Sequence, residues 1–164
     1  MSNNLPKDVL PFLDLMNNPL ILNPKIDKEG KSYSACSFSV LEKNIIFRTA
    51  KKTPTKIGFF VTLWKRLYKE SEIESFEESD PVDFVVIKCN DPSNHGYFIF
   101  PKNVLVIQKV FSSSRVNGKR ALRIYPPSCE VLNDQAKKTQ RWQSPFYAIN
   151  KDQILSILED RHSF

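Results

Sequence analysis

The chain has 164 residues, 41% of them hydrophobic and 12% aromatic, which is enough apolar material to build one folded domain and too much for a disordered chain. No apolar run approaches the roughly 18 residues of a membrane span. The three cysteines and two histidines stand apart without metal-ligand spacing, which argues against a disulfide framework or a zinc module. A net charge of +6 is mild by itself, so what matters is where the charges lie.

Residues 1–15 carry Lys7 and Asp8 and neither an apolar leader core nor a small-residue cleavage site, so the expectation is a cytoplasmic protein. Residues 9–16 read as a short helix beginning near Pro6 and weakened by Pro11. Residues 32–41 and 45–51 are β-rich runs separated by Glu42-Lys43-Asn44 and read as a hairpin. Ile57, Phe60, Val61, Trp64, Leu67 and Tyr68 recur at helical spacing, which predicts an amphipathic helix over 57–69. Thr53 would be its N-cap and Pro54 its first residue, with Thr62, Lys65, Arg66 and Lys69 on the outer face.

A polar loop then runs to Asp80-Pro81, and 82–89 is the clearest strand in the chain. A turn over 92–96 holds His95, and 97–100 is a further strand. Residues 103–110 fit strand and helix equally. A short strand over 120–125 stops at Pro126-Pro127. Asn133 caps a helix over 134–142, and Asn150 with Gln153 forms a capping box for a last helix to Asp160, with His162 beyond it. No repeat or linker divides the chain, so residues 1–164 are expected to form one α/β or α+β domain. Cys36, Cys89 and Cys129 are expected as buried or half-buried thiols.

The charges are segregated. Arg48, Lys51, Lys52, Lys56, Lys65 and Arg66 fall in a segment without an acid, and so do Lys102, Lys109, Arg115, Lys119, Arg120 and Arg123. Between these segments, Glu70, Glu72, Glu74, Glu77, Glu78 and Asp80 are concentrated in residues 70–80. Lys56 would sit in the first turn of the 57–69 helix, where a cation opposes the helix dipole by about 0.3–1 kcal/mol unless an anion is bound there. Asn117-Gly118 places Lys119 and Arg120 at a hairpin, and Arg123 and Tyr125 then share one strand face, an arrangement suited to phosphate contact with base stacking. Lys137, Lys138 and Arg141 share one side of their helix, with Trp142 turned inward. For each of these cations the plain alternative is a solvated surface charge.

Several of these motifs occur together and in order: Phe47-Arg48, Ala50-Lys51, Thr53-Pro54-Thr55-Lys56 and Leu63-Trp64-Lys65-Arg66, then Asp80-Pro81-Val82-Asp83-Phe84 and Phe98-Ile99-Phe100-Pro101-Lys102, then Gly118-Lys119-Arg120, Arg123, Tyr125-Pro126-Pro127 and Lys138-Thr139-Gln140 with Trp142-Gln143. As a set, over about residues 30–147, they resemble the bacterial MepB-like family, with Ser128-Cys129 standing where a tryptophan is expected after the two prolines. The resemblance implies a restriction-endonuclease-like fold, a three-layer α/β (α+β) domain with a central mixed sheet flanked by helices, and does not supply an activity.

Such nucleases hold a divalent metal between carboxylates on neighbouring strands, with a nearby lysine assisting. Here Lys51 occupies the lysine position and is the one catalytic candidate, but Thr49 stands where the acid would be. Asp27 and Glu29 lie just upstream, while Asp83 and Lys88 fall on opposite faces of their strand. The leading expectation is a nucleic-acid-binding protein on a nuclease-like fold without a complete metal site, using Arg48, Lys51, Thr53, Thr55, Lys56, Lys102, Lys119, Arg120, Arg123, Tyr125 and Lys138. It needs no cofactor and acts as a monomer or weak homo-oligomer with no membrane partner. The alternatives are a magnesium-dependent nuclease with a rearranged site and a regulatory module whose basic face meets an acidic protein.

Overall fold

The computed structural model describes residues 5–160, so the reading placed on His162 lies outside the described residues. A short 3-10 turn, Lys7–Val9, leads into helix α1 (Leu10–Leu15). Pro11 falls in its first turn, where a missing N–H costs no helical bond. Strands β1 (Ile21–Ile26), β2 (Cys36–Val40) and β3 (Lys43–Lys52) then form an antiparallel meander. The β2–β3 hairpin closes through Leu41 and Glu42, both at positive φ as a two-residue hairpin turn of right-handed twist requires.

β3 is the spine of the sheet. Its residues Ile45, Ile46, Phe47, Arg48, Thr49 and Ala50 are all buried, because both of its faces are covered. Along one edge its first half pairs with β2, and its last two residues pair with β4 (Phe59–Thr62). Along the other edge β5 (Phe84–Asn90) runs parallel to it. β6 (Tyr97–Pro101) and the two-residue β8 (Tyr147–Ala148) continue that side antiparallel. β7 (Ala121–Ile124) pairs with β4 alone, so the eight-stranded mixed sheet forks at β3.

The remaining helices are α2 (Lys102–Ile107), α3 (Asp134–Gln143) and α4 (Lys151–Glu159). Strand register puts Phe47, Val86 and Ile99 on one sheet face, with Tyr97 on the same face two residues earlier. Phe12 of α1 packs there, its ring 6.2 Å from Phe47 and 5.0 Å from Tyr97. Phe100 belongs to the opposite face, where Trp142 of α3 lies 5.3 Å from it. Cover on both sides explains why β5 and β6 read as nearly unbroken apolar runs instead of alternating ones. The fold is a mixed α+β domain.

Most of the expected elements are present, and both asparagine caps are made. Asn133 Oδ1 accepts from Ala136 N (2.7 Å), and Asn150 Oδ1 accepts from Gln153 N (2.9 Å). Gln153 Oε1 reaches back to Ile149 N (2.8 Å), one residue before the position a strict capping box would use. The ambiguous stretch over 103–110 resolves as α2 followed by a turn. Cys36 and Cys89 are buried and Cys129 is half-buried, all as free thiols.

One element is wrong. The expected helix over 57–69 does not form. Its centre is strand β4, followed by turns and loop. Gly58 has φ +89°, outside any helix, and a Cβ there would lie 2.7–2.8 Å from the Tyr125 ring and Ile124 O. Phe59-Phe60-Val61-Thr62 is aromatic and β-branched and gains ladder bonds to two strands at once, which outweighs a loose helical spacing. Thr53 caps no helix: its Oγ1 donates to Lys56 O (3.1 Å) and closes a turn. The crossover from β3 to β5 is therefore built from β4 and the acid-rich loop, with no helix among residues 53–83.

Candidate functional site

β4 and β7 form a two-stranded arm beyond the fork, and α3 lies alongside its outer strand. Gln143, fully buried, joins them. Its Oε1 accepts from Tyr125 N (2.9 Å) and its Nε2 donates to Arg123 O (3.0 Å), on the edge of β7 that β4 does not use. One turn earlier, Gln140 Nε2 donates to Pro126 O and Cys129 O (both 2.9 Å) and fixes the loop after the two prolines. These two glutamines hold the arm and the helix apart at a set distance, and a groove of about 1020 Å³ runs between them.

Six of the residues expected to bind an anion line this groove: Thr55, Lys56, Lys119, Arg123, Tyr125 and Lys138. No aspartate or glutamate is part of its lining. Among the described residues, no carboxylate comes within ion-pair distance of Lys56, Lys119, Arg123 or Lys138. Arg123 organises one wall. Its Nη2 donates to Thr53 Oγ1 (2.6 Å) and Ile57 O (3.1 Å), which pins the 53–57 turn onto β7. Its Nε is buried and has no partner. A buried guanidinium N–H without an acceptor costs about 1–3 kcal/mol. Gly58 backs the Tyr125 ring, so its close approach to the arm needs a residue without a side chain.

The other five expected residues lie elsewhere or act indirectly. Thr53 serves the groove through Arg123. Lys51 is not in the lining but stands in the same cross-strand row, since Lys51 pairs with Phe60 and Phe60 with Arg123. Two strand spacings put it about 10 Å from Arg123, with its Nζ 4.4 Å from the centre of the Tyr33 ring. Arg120 is exposed at the start of β7, outside the lining. Lys102 turns away, donating from Nζ to Asp80 O (3.0 Å). Arg48 is only 5% exposed and donates to Phe47 O (2.9 Å), so it cannot meet a partner at the surface. Burial pulls its pKa below the ordinary arginine value, and the charge of Asp27 opposes that shift. Lys56, expected at a helix start, lies instead in a turn on the groove wall.

The place where a nuclease-like metal site would be sought holds a different arrangement. Asp8 accepts hydrogen bonds from Thr49 Oγ1 and Ser34 Oγ (both 2.8 Å) and pairs with Lys88 Nζ at 3.6 Å. Burial works against its carboxylate, but these three partners together hold its pKa below the usual aspartate value. Asp27 Oδ1 accepts from Glu29 N, and Glu29 is paired with Arg66 at 2.9 Å. Among the described residues no three His, Cys, Asp or Glu side chains gather in one place.

A family model described as MepB-like matches residues 27–148. The chain belongs to the MepB-like family. A crystal structure of MepB is similar in fold to this MepB-like chain, with a TM-score of 0.76 and 30% sequence identity over 90% of this chain and 99% of that one. No curated protein matches it. The matched span contains β3, β4, β7 and α3, and with them every groove residue named above. No helix among the described residues of the MepB-like chain is long and apolar enough to cross a membrane.

Sequence reading does not place Gln140, Gln143, Val131 or Leu132 at a site, and it puts Phe60 only on the face of a helix. The glutamines had a signal. Two amides three residues apart on a helix, flanking a tryptophan that packs inward, point along one face toward whatever lies beside it.

Proposed function

We propose that this MepB-like chain binds nucleic acid in the groove between its β4–β7 arm and α3, with phosphates held by Lys56, Lys119, Arg123 and Lys138. The observation that carries the reading is the convergence of these four cations, from three separate chain segments, on one groove without a lining carboxylate. Solvated surface lysines do not ordinarily gather this way, and like charges brought together repel until an anion joins them. Lys51, in the same cross-strand row as Arg123, extends the positive surface along β3.

The reading includes a restriction-endonuclease-like ancestry. A short helix followed by antiparallel β1–β3, with β5 parallel to β3, supports it, while a strand in place of the crossover helix departs from it. Binding is favoured over cleavage because Asp8, Asp27 and Glu29 are each committed to other partners. Fluorescence anisotropy of labelled oligonucleotides across a salt series tests the proposal. With four phosphates neutralised, log K should fall against log salt with a slope of about −3 to −4, and absence of binding at low salt would refute it. A cytoplasmic address, which belongs to this reading, would let the chain meet nucleic acid without a membrane step.

A further inference from the structure

We infer that the groove accepts a single strand in preference to a duplex, with a nucleobase seated on its apolar floor and the phosphates outside on the lysines. This inference rests on the nucleic-acid reading above. Phosphate contact alone calls for cations on an open surface, yet this groove also has an apolar interior. Phe60, Leu122, Tyr125 and Trp142 line it together with the cations. Ile57 and Leu132, from two different walls, are left 43% and 78% exposed, although large apolar side chains at a lip gain nothing from water. A volume of about 1020 Å³ suits one or two nucleotides and not the body of a double helix, whose bases are stacked inside and present only phosphates and groove edges. A splayed strand offers what the lining can use, because every base has a face to lay on an aromatic or aliphatic wall.

Trp142 gives a direct readout. The chain has two tryptophans, so Trp64→Phe leaves Trp142 as the only indole. This protein would be titrated with oligothymidylate of about 12 nucleotides, the matching RNA and a duplex of the same length, reading Trp142 emission and the anisotropy of a terminal label. Single strands are expected to quench Trp142 and to bind at least about tenfold more tightly than the duplex. Leu132→Ser, at an exposed position, is expected to weaken single-strand binding about fivefold while leaving the salt slope unchanged. Anisotropy on the unsubstituted chain makes the same comparison without depending on Trp64→Phe. Duplex binding as tight as single-strand binding, or single-strand binding without quenching, overturns this inference and leaves the nucleic-acid reading standing. No binding of any form overturns both.

Discussion

Lys65 and Lys138 carry the same charge but stand in opposite surroundings. Lys65 Nζ lies 2.8 Å from both Glu77 and Asp80 and 3.5 Å from Glu74, and only 15% of its side chain meets solvent. Lys138 shares a groove with three other cations and no lining carboxylate. In the sequence, Lys65 belongs to an acid-free segment and reads as available as any other. In space, the acid-rich loop over 70–80 folds back onto it through paired backbone bonds between Lys65 and Glu74 (both 2.9 Å). Lys52 and Arg66 of the same segment meet Asp91 and Glu29 likewise. The contrast teaches that an acid-free stretch of chain is not an acid-free surface. What separates the two regions is whether the fold returns an acid to each cation.

Reversing charge on the groove side should break the comparison most severely. Lys119→Glu with Lys138→Glu is expected to lower oligonucleotide affinity by about 100-fold, roughly 3 kcal/mol, near 0.1 M salt. Anisotropy titration would show it, and retained affinity would remove the groove from the account. Next comes the joint that forms the groove. Gln143→Ala leaves Arg123 O and Tyr125 N without their partner and opens a cavity, so urea unfolding should reveal a loss of about 2–3 kcal/mol together with weakened binding. Lys65→Met acts on the other region alone. It leaves three carboxylates facing one another, and we expect a stability loss of about 1–2 kcal/mol with oligonucleotide affinity unchanged within about twofold. A large loss of affinity there would erase the distinction between the regions.

The smallest effect is one of pH. Burial disfavours the charged form of Lys65, but bonds to Asp80 and Glu77 outweigh it and raise its pKa above the ordinary lysine value. A cation whose folded pKa is raised adds stability that is complete below its unfolded pKa of about 10.4 and fades as pH climbs through the folded value. Unfolding midpoints followed from pH 9 upward should therefore fall more steeply in the unsubstituted chain than in Lys65→Met.

Much of the fold was legible because its signals are local. Asn133 and Asn150 cap helices through side chains three residues away from their targets, and the apolar run of β5 announces a strand covered on both faces. β4 was misread because Ile57, Phe60, Val61 and Trp64 imitate a helical face. The partners that make it a strand are Lys51 and Lys52 on one side and 121–124 on the other, the latter some sixty residues distant. The site was half legible for the same reason. Lys56, Lys119, Arg123, Tyr125 and Lys138 could be named from charge and aromatic spacing. That Arg48 is enclosed and Lys102 engaged, while Thr53 works only through Arg123, depends on long-range pairing that no local pattern records.

Gln143 has a consequence beyond holding the groove. An uncovered strand edge offers a row of donors and acceptors onto which another chain can add, and β7 is the last strand of its arm. Gln143 fills one acceptor and one donor position there, as a neighbouring strand would, but from a helix that cannot be extended into further sheet. The arm thus ends in an amide that occupies the two edge positions an added strand would use.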